Sequence, residues 1–410
     1  MKTTVVIGGG PAGMMAAIEA SKTSKVILLE SNAKLGKKLF VTGKGRCNVT
    51  NAKDISEFFN YIPGNPTFLY SALYTFTNEN TMDFFDKQRV KLKIERGDRV
   101  FPASDKSSDI INALEWTLKD NGVDIRLNSK VLKVHKEGSK IDYVLLDKGE
   151  KVIGDYFIVC TGGKSYPLTG SSGDGYKFAK SLGHNIVSIK PSLVPIVVKE
   201  EWIRELQGLS LRNVEFKIFE KNKCIFREFG EMLFTHYGIS GPIVLSGSRK
   251  VNTSHSQQAY IDLKPALTEE ELDKRIQRDF QLFKNKEIKN ALNELLPQKI
   301  INRIIISAEI AMDKKVHSIT KQERKRLAQV IKNFKLEIHG LRPIEEAIVT
   351  AGGVDTKEIN PSTMASKIID NLYFAGEVID VDAYTGGYNI QIAFSTGFLA
   401  GKSINELENQ

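Results

Sequence analysis

The chain has 410 residues, of which 41% are hydrophobic and 26% charged, and a formal net charge of +9. This length fits two or three domains, each able to bury a core, and the composition excludes a fibre or a disordered chain. Cys47, Cys160 and Cys224 are scattered and odd in number, which leaves no disulfide framework, no zinc pattern and no Cys-x-x-Cys pair for a dithiol reductase.

The chain enters a strand with no basic and apolar leader before it, and no apolar run approaches the ~20 residues that cross a bilayer. A cytoplasmic protein with no membrane partner is expected. Lys2 to Ile7 form that first apolar strand, Gly8, Gly10 and Gly13 complete G-x-G-x-x-G, and a second strand, Lys25 to Glu30, ends on an acid. Gly8 lets the chain turn off the strand, Gly10 lets the backbone approach a pyrophosphate, and Gly13 lets the next helix pack closely on the sheet. The helix N-terminus then offers free N–H groups to phosphates. Glu30 is suited to bind adenosine ribose hydroxyls and repels a 2′-phosphate, which favours FAD or NAD over NADP at this site.

A loop rich in Gly and Lys follows, Leu35 to Asn51, in which Lys44, Arg46, Cys47, Asn48 and Asn51 crowd together. Glycines there permit backbone approach to a flat ring, Lys44 and Arg46 are suited to stabilise charge on a reduced flavin, and Asn supplies donor and acceptor to an amide edge. Cys47 has no partner thiol nearby and reads as a packed residue. Helices are predicted around Asn80 to Gln88 and at Ser108 to Asn121. Strands are predicted at Val123 to Leu127 and Ser129 to His135, then a meander through Ile141 to Leu146 and Lys151 to Ile153. The strand Asp155 to Cys160 ends in Thr161, Gly162 and Gly163, a second close approach to the cofactor. The glycines of Gly170 to Gly175 have the wrong spacing for another dinucleotide fingerprint, so no resident NAD(P)H domain is expected.

From about Ile189 the pattern changes to short β-like runs: Val194 to Val198, Leu211 to Phe219, Lys223 to Glu228 and Ala259 to Leu263. These suit a small sheet or barrel. His236, in a turn-rich piece from Leu233 to Pro242 beside Tyr237, is the one histidine placed to move a proton near neutrality. Helical periodicity runs from Thr268 to Phe334. Glu270 to Lys335 carries 16 Lys and Arg against 9 Asp and Glu, a net +7. A solvated basic face is the expected meaning, with nucleic acid the less expected partner. After Leu341 the α/β character returns, with strands Ala347 to Ala351 and Leu372 to Ala375 and a helix Asn389 to Leu399. Within Tyr373 to Gly397, Glu377 is suited to bind cofactor hydroxyls. The helix that starts near Tyr388 is suited to point its positive end at a flavin ring. No His, Cys, Asp or Glu spacing suggests a metal.

The motifs VIGGGPAGMMAA, KLGKKLFVTGKGRCNVTN, GDRVFPASDKSSDI, TGGKSYPLTGSSGDGY, LFTHYGISGP and YFAGEVIDVDAYTGGYNIQIAFSTG resemble, over nearly the whole chain, the bacterial NAD(P)/FAD-dependent oxidoreductases of the aminoacetone-oxidase-like kind. The resemblance implies a glutathione-reductase-type FAD fold with FAD contacts at Gly8, Gly10, Pro11, Ala12, Gly13, Glu30, Arg46, Asn48, Gly376, Glu377 and Asn389, and a main-chain adenine contact at Val131. Cys47, Thr161, Gly162 and Ile390 complete the expected cofactor set.

The expected architecture is α/β: a Rossmann-like FAD-binding domain (1–187 and 341–410) with an inserted β-barrel domain (188–267 and 335–340) and a helical subdomain (268–334). The expected function is an FAD-dependent oxidoreductase that transfers hydride at flavin N5 to or from a small organic substrate, in a cleft between the FAD and barrel domains. Lys44, Arg46 and His236 are the candidate catalytic residues, and NADH or NADPH is a diffusible co-substrate. Two alternatives stand beside this: an amine or amino-acid oxidase that produces peroxide, and an RNA-binding flavoprotein.

Overall fold

The computed structural model describes residues 1–252 and 254–409, without the side chain of Lys44. The chain forms two compact units, residues 1–192 with 344–410 and residues 193–343.

The first unit is built on a parallel five-stranded sheet in the order Leu372–Phe374, Tyr156–Val159, Thr3–Ile7, Lys25–Leu29, Asp124–Arg126. Its central strands are β-branched and apolar and are buried along nearly their whole length, as strands covered on both faces must be. The first helix, Pro11–Ala20, buries every residue but Pro11 because it packs on the sheet and on the C-terminal helix, Tyr388–Glu408. Gly397 and Gly401 make that second contact possible. A Cβ at Gly397 would stand 2.2 Å from the carbonyl oxygen of Ala12, and one at Gly401 would stand 2.7 Å from that of Ala16. The C-terminal helix runs well past its predicted end at Leu399.

Three smaller sheets complete the unit. One is the meander Val131–Glu137, Lys140–Leu146, Lys151–Ile153. Another pairs Ile186–Ser192 with Val349–Val354. The third, Thr50–Asn51 with Arg99–Pro102 and Leu92–Glu95, was not legible in the sequence, because its strands are too short to show a period.

The second unit is a closed antiparallel barrel in the order Ile196–Val198, Gly238–Ser240, Lys223–Phe234, Ser210–Glu220, Gln257–Asp262, Phe334–Leu341. Lys221 and Asn222, with φ of 46° and 65°, form the two-residue turn of its longest hairpin. Between the last two strands the chain forms the helices Glu269–Leu282, Ile288–Ala291, Gln298–Ser307 and Lys321–Lys332. Capping boxes start two of them, Thr268 with Glu271 and Thr320 with Glu323. Helices and barrel share one core: Phe216, Ile261 and Leu336 of the strands lie in the same buried cluster as Ile276, Ile304 and Leu327 of the helices. Among the described residues, no helix is long and apolar enough to cross a membrane.

Candidate FAD site

The glycine fingerprint is shaped by two crowded positions and one open one. Gly8 has φ +108°, and a Cβ there would stand 2.5 Å from the carbonyl oxygen of Cys160. Gly13 is tighter, with its Cβ position 1.8 Å from the oxygen of Gly8. At Gly10 the backbone is ordinary, φ −80°, and a Cβ would meet nothing within 4 Å. Gly10 therefore opens on space at the N-terminus of Pro11–Ala20, which no side chain caps. The first-turn N–H groups and the positive end of the helix dipole face that space.

Glu30 is buried and held by hydrogen bonds within the chain. Its Oε2 accepts the Gly9 N–H at 2.7 Å, and its Oε1 accepts the Asn32 N–H at 2.8 Å and the Asn32 Nδ2 at 2.7 Å. The Ser129 N–H donates to the Glu30 carbonyl at 2.8 Å, which brings the strand that begins at Val131 up to the acid.

The Val41–Asn51 loop is tied to the start of the C-terminal helix. Asn51 Nδ2 donates to the Gly386 carbonyl at 3.0 Å and Thr50 Oγ1 donates to Gln391 Oε1 at 2.7 Å. A Cβ at Gly387 would stand 2.3 Å from the Thr50 carbonyl. Within the loop Cys47 adopts φ +58° and is fully buried, and burial pushes its thiol up to about 12, so it packs and does not react. Asn48 Oδ1 is buried without a hydrogen-bond partner.

Arg46 is ion-paired beside an aromatic ring. Its Nε donates to Asp105 Oδ1 at 2.7 Å, its Nη2 pairs with Glu95, and its guanidinium lies 4.2 Å from the centre of the Phe101 ring. The charge expected to face a reduced flavin is compensated by two carboxylates, both held below their usual range, Glu95 by its bond to Arg46 and Asp105 by those to Lys93 and Arg46. The small sheet that the sequence concealed delivers both Glu95 and Phe101 to it. The Lys44 side chain lies outside the described residues.

Across from the fingerprint, Thr161 Oγ1 is a second buried polar atom without a partner, and Gly162 turns the chain at φ +71°. Gly376, φ +77°, packs so closely that a Cβ would stand 2.8 Å from that of Ala12. Glu377 is committed to the protein: its Oε2 takes Lys38 Nζ at 2.7 Å, and its Oε1 takes the Thr350 N–H at 2.8 Å and Ser165 Oγ at 3.1 Å. Burial alone would raise this carboxyl, and Lys38 with the other donors reverses that and holds it low. Asn389 is likewise spent locally, bonded to both the N–H and the carbonyl of Ala383. Ile390, half-buried, follows it in the first turn.

His236 belongs to the second unit. It is exposed on the turn between Lys223–Phe234 and Gly238–Ser240, edge-on to Tyr237 at 4.7 Å, and Arg342 covers the Tyr237 ring at 4.5 Å. It is not brought together with the fingerprint inside one unit.

The first unit thus gathers an open cradle at Gly10, a preset acid at Glu30, and two orphaned buried acceptors or donors at Asn48 and Thr161. This donor set fits FAD: helix N–H groups for the pyrophosphate, a carboxylate for the ribose, and polar side chains for the ring. Sequence reasoning missed Lys38, Ser165 and Thr350, which hold Glu377, and the buried amide of Gln391. For Gln391 the signal was present, since Gln391 and Ser395 interrupt an apolar helix face.

A family model described as the HI0933-like protein Rossmann domain matches residues 2–403. The chain belongs to the HI0933-like family. Full-length relatives include a 3-dehydro-bile acid delta(4,6)-reductase of Clostridium scindens, 31% identical with 98% of each chain covered. The ribosomal RNA dihydrouridine synthase of Haemophilus influenzae is 32% identical, again with 98% of each chain covered, and that of Escherichia coli is 30% identical, with 98% of this chain and 97% of the relative covered. Among solved structures, a flavocytochrome c3 fumarate reductase matches with a TM-score of 0.52 at 17% identity, covering 100% of this chain and 79% of that one. A 3-ketosteroid delta1-dehydrogenase of Sterolibacterium denitrificans matches at 0.50 and 13% identity, covering 99% of this chain and 100% of that one. These two likenesses are of fold. As an HI0933-like protein the chain is an FAD-dependent oxidoreductase. The narrower aminoacetone-oxidase-like resemblance is not supported by any of these relatives.

Proposed function

We propose that this HI0933-like enzyme reduces a carbon–carbon double bond conjugated to a carbonyl, with NADH or NADPH as the diffusible reductant and the uracil ring of structured RNA as substrate. The names of the full-length relatives support the chemistry. A delta(4,6)-unsaturated 3-keto steroid and a uridine ring each carry a double bond polarised by a carbonyl. In both, hydride goes to the carbon remote from the carbonyl and a proton to its neighbour, at the cost of one NAD(P)H.

The observation that carries the RNA reading is where the charge lies. Residues 193–343 hold 27 Lys and Arg against 19 Asp and Glu, whereas the rest of the chain holds 31 against 30. Nearly all of the +9 is therefore on the barrel and helical unit, where a polyanion can use many of these charges at once and a bile acid, with its single carboxylate, can use few. The steroid-ketone reading stands second, on the bile-acid relative alone.

When bound, FAD supplies the hydride at N5. The chain's own part is to hold and position. Glu30 and the first turn of Pro11–Ala20 anchor the dinucleotide end, Asn48 and Thr161 offer the polar contacts, and the Glu377–Lys38 pair fixes the segment that follows Leu372–Phe374. We assign the proton to His236. Its replacement by Asn should slow turnover and leave reduction by NAD(P)H unchanged.

The test is anaerobic mixing of the yellow protein with NADH or NADPH, followed by ribosomal RNA from cells that lack the protein. Rapid bleaching, recovery of colour on adding RNA, and two extra hydrogens in one uridine are expected. Colour recovery with a steroid enone but not with RNA would select the second reading. Persistent yellow with NAD(P)H and bleaching by an amine would overturn both in favour of the oxidase.

A further inference from the structure

The helix Glu269–Leu282 borders a groove of about 560 Å³ on the second unit, lined chiefly by Glu271, Lys274, Arg275, Gln277, Arg278 and Gln281. The one acid among these is already used. Glu271 accepts the Thr268 N–H at 2.8 Å as half of the capping box, which holds its carboxyl below the usual range. Arg275 is half-satisfied, its Nε bonded to both oxygens of Asp279 at 3.0 Å. Lys274 and Arg278 are exposed and form no ion pair within 4 Å among the described residues, although the Lys274 charge lies near enough to Glu271 to lower its carboxyl. They stand one helical turn apart, a like-charge pair that destabilises a helix unless an anion lies between them.

Two neighbours extend the positive surface. Lys264 is half-buried next to Arg275, also without a carboxylate partner among the described residues, and burial with that like charge depresses its ammonium. The helix Lys321–Lys332 is fastened alongside by Arg324, whose Nε donates to Asp273 at 2.7 Å, and it presents Lys325 exposed near the same Asp273. Gln277 and Gln281 add neutral amide groups between the charges. The cations are spread along two helices and are not gathered into a buried cage. This arrangement follows a chain of phosphates better than it encloses one small anion.

We propose that this groove docks the phosphate backbone of the RNA substrate, a step that rests on the RNA reading above. The experiment uses the full-length FAD-loaded protein and protein-free ribosomal RNA, with binding followed as salt is raised. The triple variant Lys274→Gln, Arg278→Gln, Lys325→Gln changes only exposed side chains, and its flavin content and melting temperature check the fold. Each lost phosphate contact should lower the slope of log affinity against log salt by about 1, so the variant should lose two to three units of slope and about tenfold or more in affinity at low salt. Bleaching by NAD(P)H should be unchanged. RNA binding by the wild type with the same slope and affinity in the variant overturns the groove and leaves the RNA reading standing. No RNA binding by the wild type at low salt overturns both.

Discussion

The Gly9 N–H and the Glu30 carboxylate are joined at 2.7 Å across the turn that follows the first strand. This bond ties the acid to the glycine loop. A hydrogen bond to a charged group contributes about 1.5–3 kcal/mol. Glu30→Gln should therefore loosen FAD by about tenfold or more, and Glu30→Ala should give largely colourless protein. Fluorescence of flavin released from gel-filtered protein measures it. Undiminished FAD in Glu30→Ala would remove this residue from the site.

Gly10 and Gly13 should separate cofactor binding from folding. A Cβ at Gly10 meets no protein atom within 4 Å and the φ is an allowed one, so the FAD-free Gly10→Leu protein should stay within about 0.5 kcal/mol of the wild type, yet bind no flavin. Gly13→Ala forces a Cβ to within 1.8 Å of the Gly8 oxygen, and overpacking of this kind costs about 1–3 kcal/mol before any ligand is considered. Calorimetry of the FAD-free forms beside their flavin content decides. A Gly10→Leu protein that purifies yellow contradicts the cradle.

The glycine turn from Gly8 to Gly13, the placing of Glu30 beside it and the strand-turn-helix near Gly376 were legible as structure because they depend on residue types at fixed short spacings. The sequence also disclosed that the helices interrupt the barrel, since the period changes from two to 3.6 and back. What escaped it depends on distant partners. The pairing of Arg46 with Glu95, on a hairpin too short to predict, and with Asp105 just beyond it could not be read from the sequence, nor could the bonds of Glu377 to Lys38, Ser165 and Thr350. A pattern along the chain reveals a side chain's chemistry, and packing decides whether that chemistry is already spent.

His184 makes stability depend on pH. It is buried, and its Nε2 lies 2.8 Å from Ser366 Oγ, which accepts the N–H groups of Ile368 and Ile369 and so gives its own proton to the ring. That leaves the imidazole neutral, with Nδ1 buried and unpartnered. Burial lowers its pKa below 6.5, and Glu358 and the Ala179 carbonyl only partly oppose this. The sign follows: the unfolded chain takes up the proton first, so the stabilisation is complete above 6.5 and is lost as pH falls from there toward the folded value. The slope is at most about 1.4 kcal/mol per pH unit. Melting from about pH 7.5 to about pH 5 should fall more steeply in the wild type than in His184→Leu. Parallel curves would clear this histidine.

The Arg46 cluster predicts the flavin potential. Arg46 and Lys93 are balanced by Glu95 and Asp105, so the group adds no net charge beside the loop expected to meet the ring. Glu95→Gln with Asp105→Asn would leave two uncompensated cations on a sheet edge that Phe101 keeps in place. Positive charge favours the anionic reduced cofactor. The midpoint potential should therefore rise, by about 30 mV for each 1.4 kcal/mol of added stabilisation of the two-electron reduced form. Arg46→Met with the acids intact should move it the other way, and high salt should shrink both shifts because the cluster is largely solvent-facing. A spectroscopic titration of the three proteins against a reference dye measures this. Equal potentials would mean that Arg46 holds its loop and does not tune the cofactor.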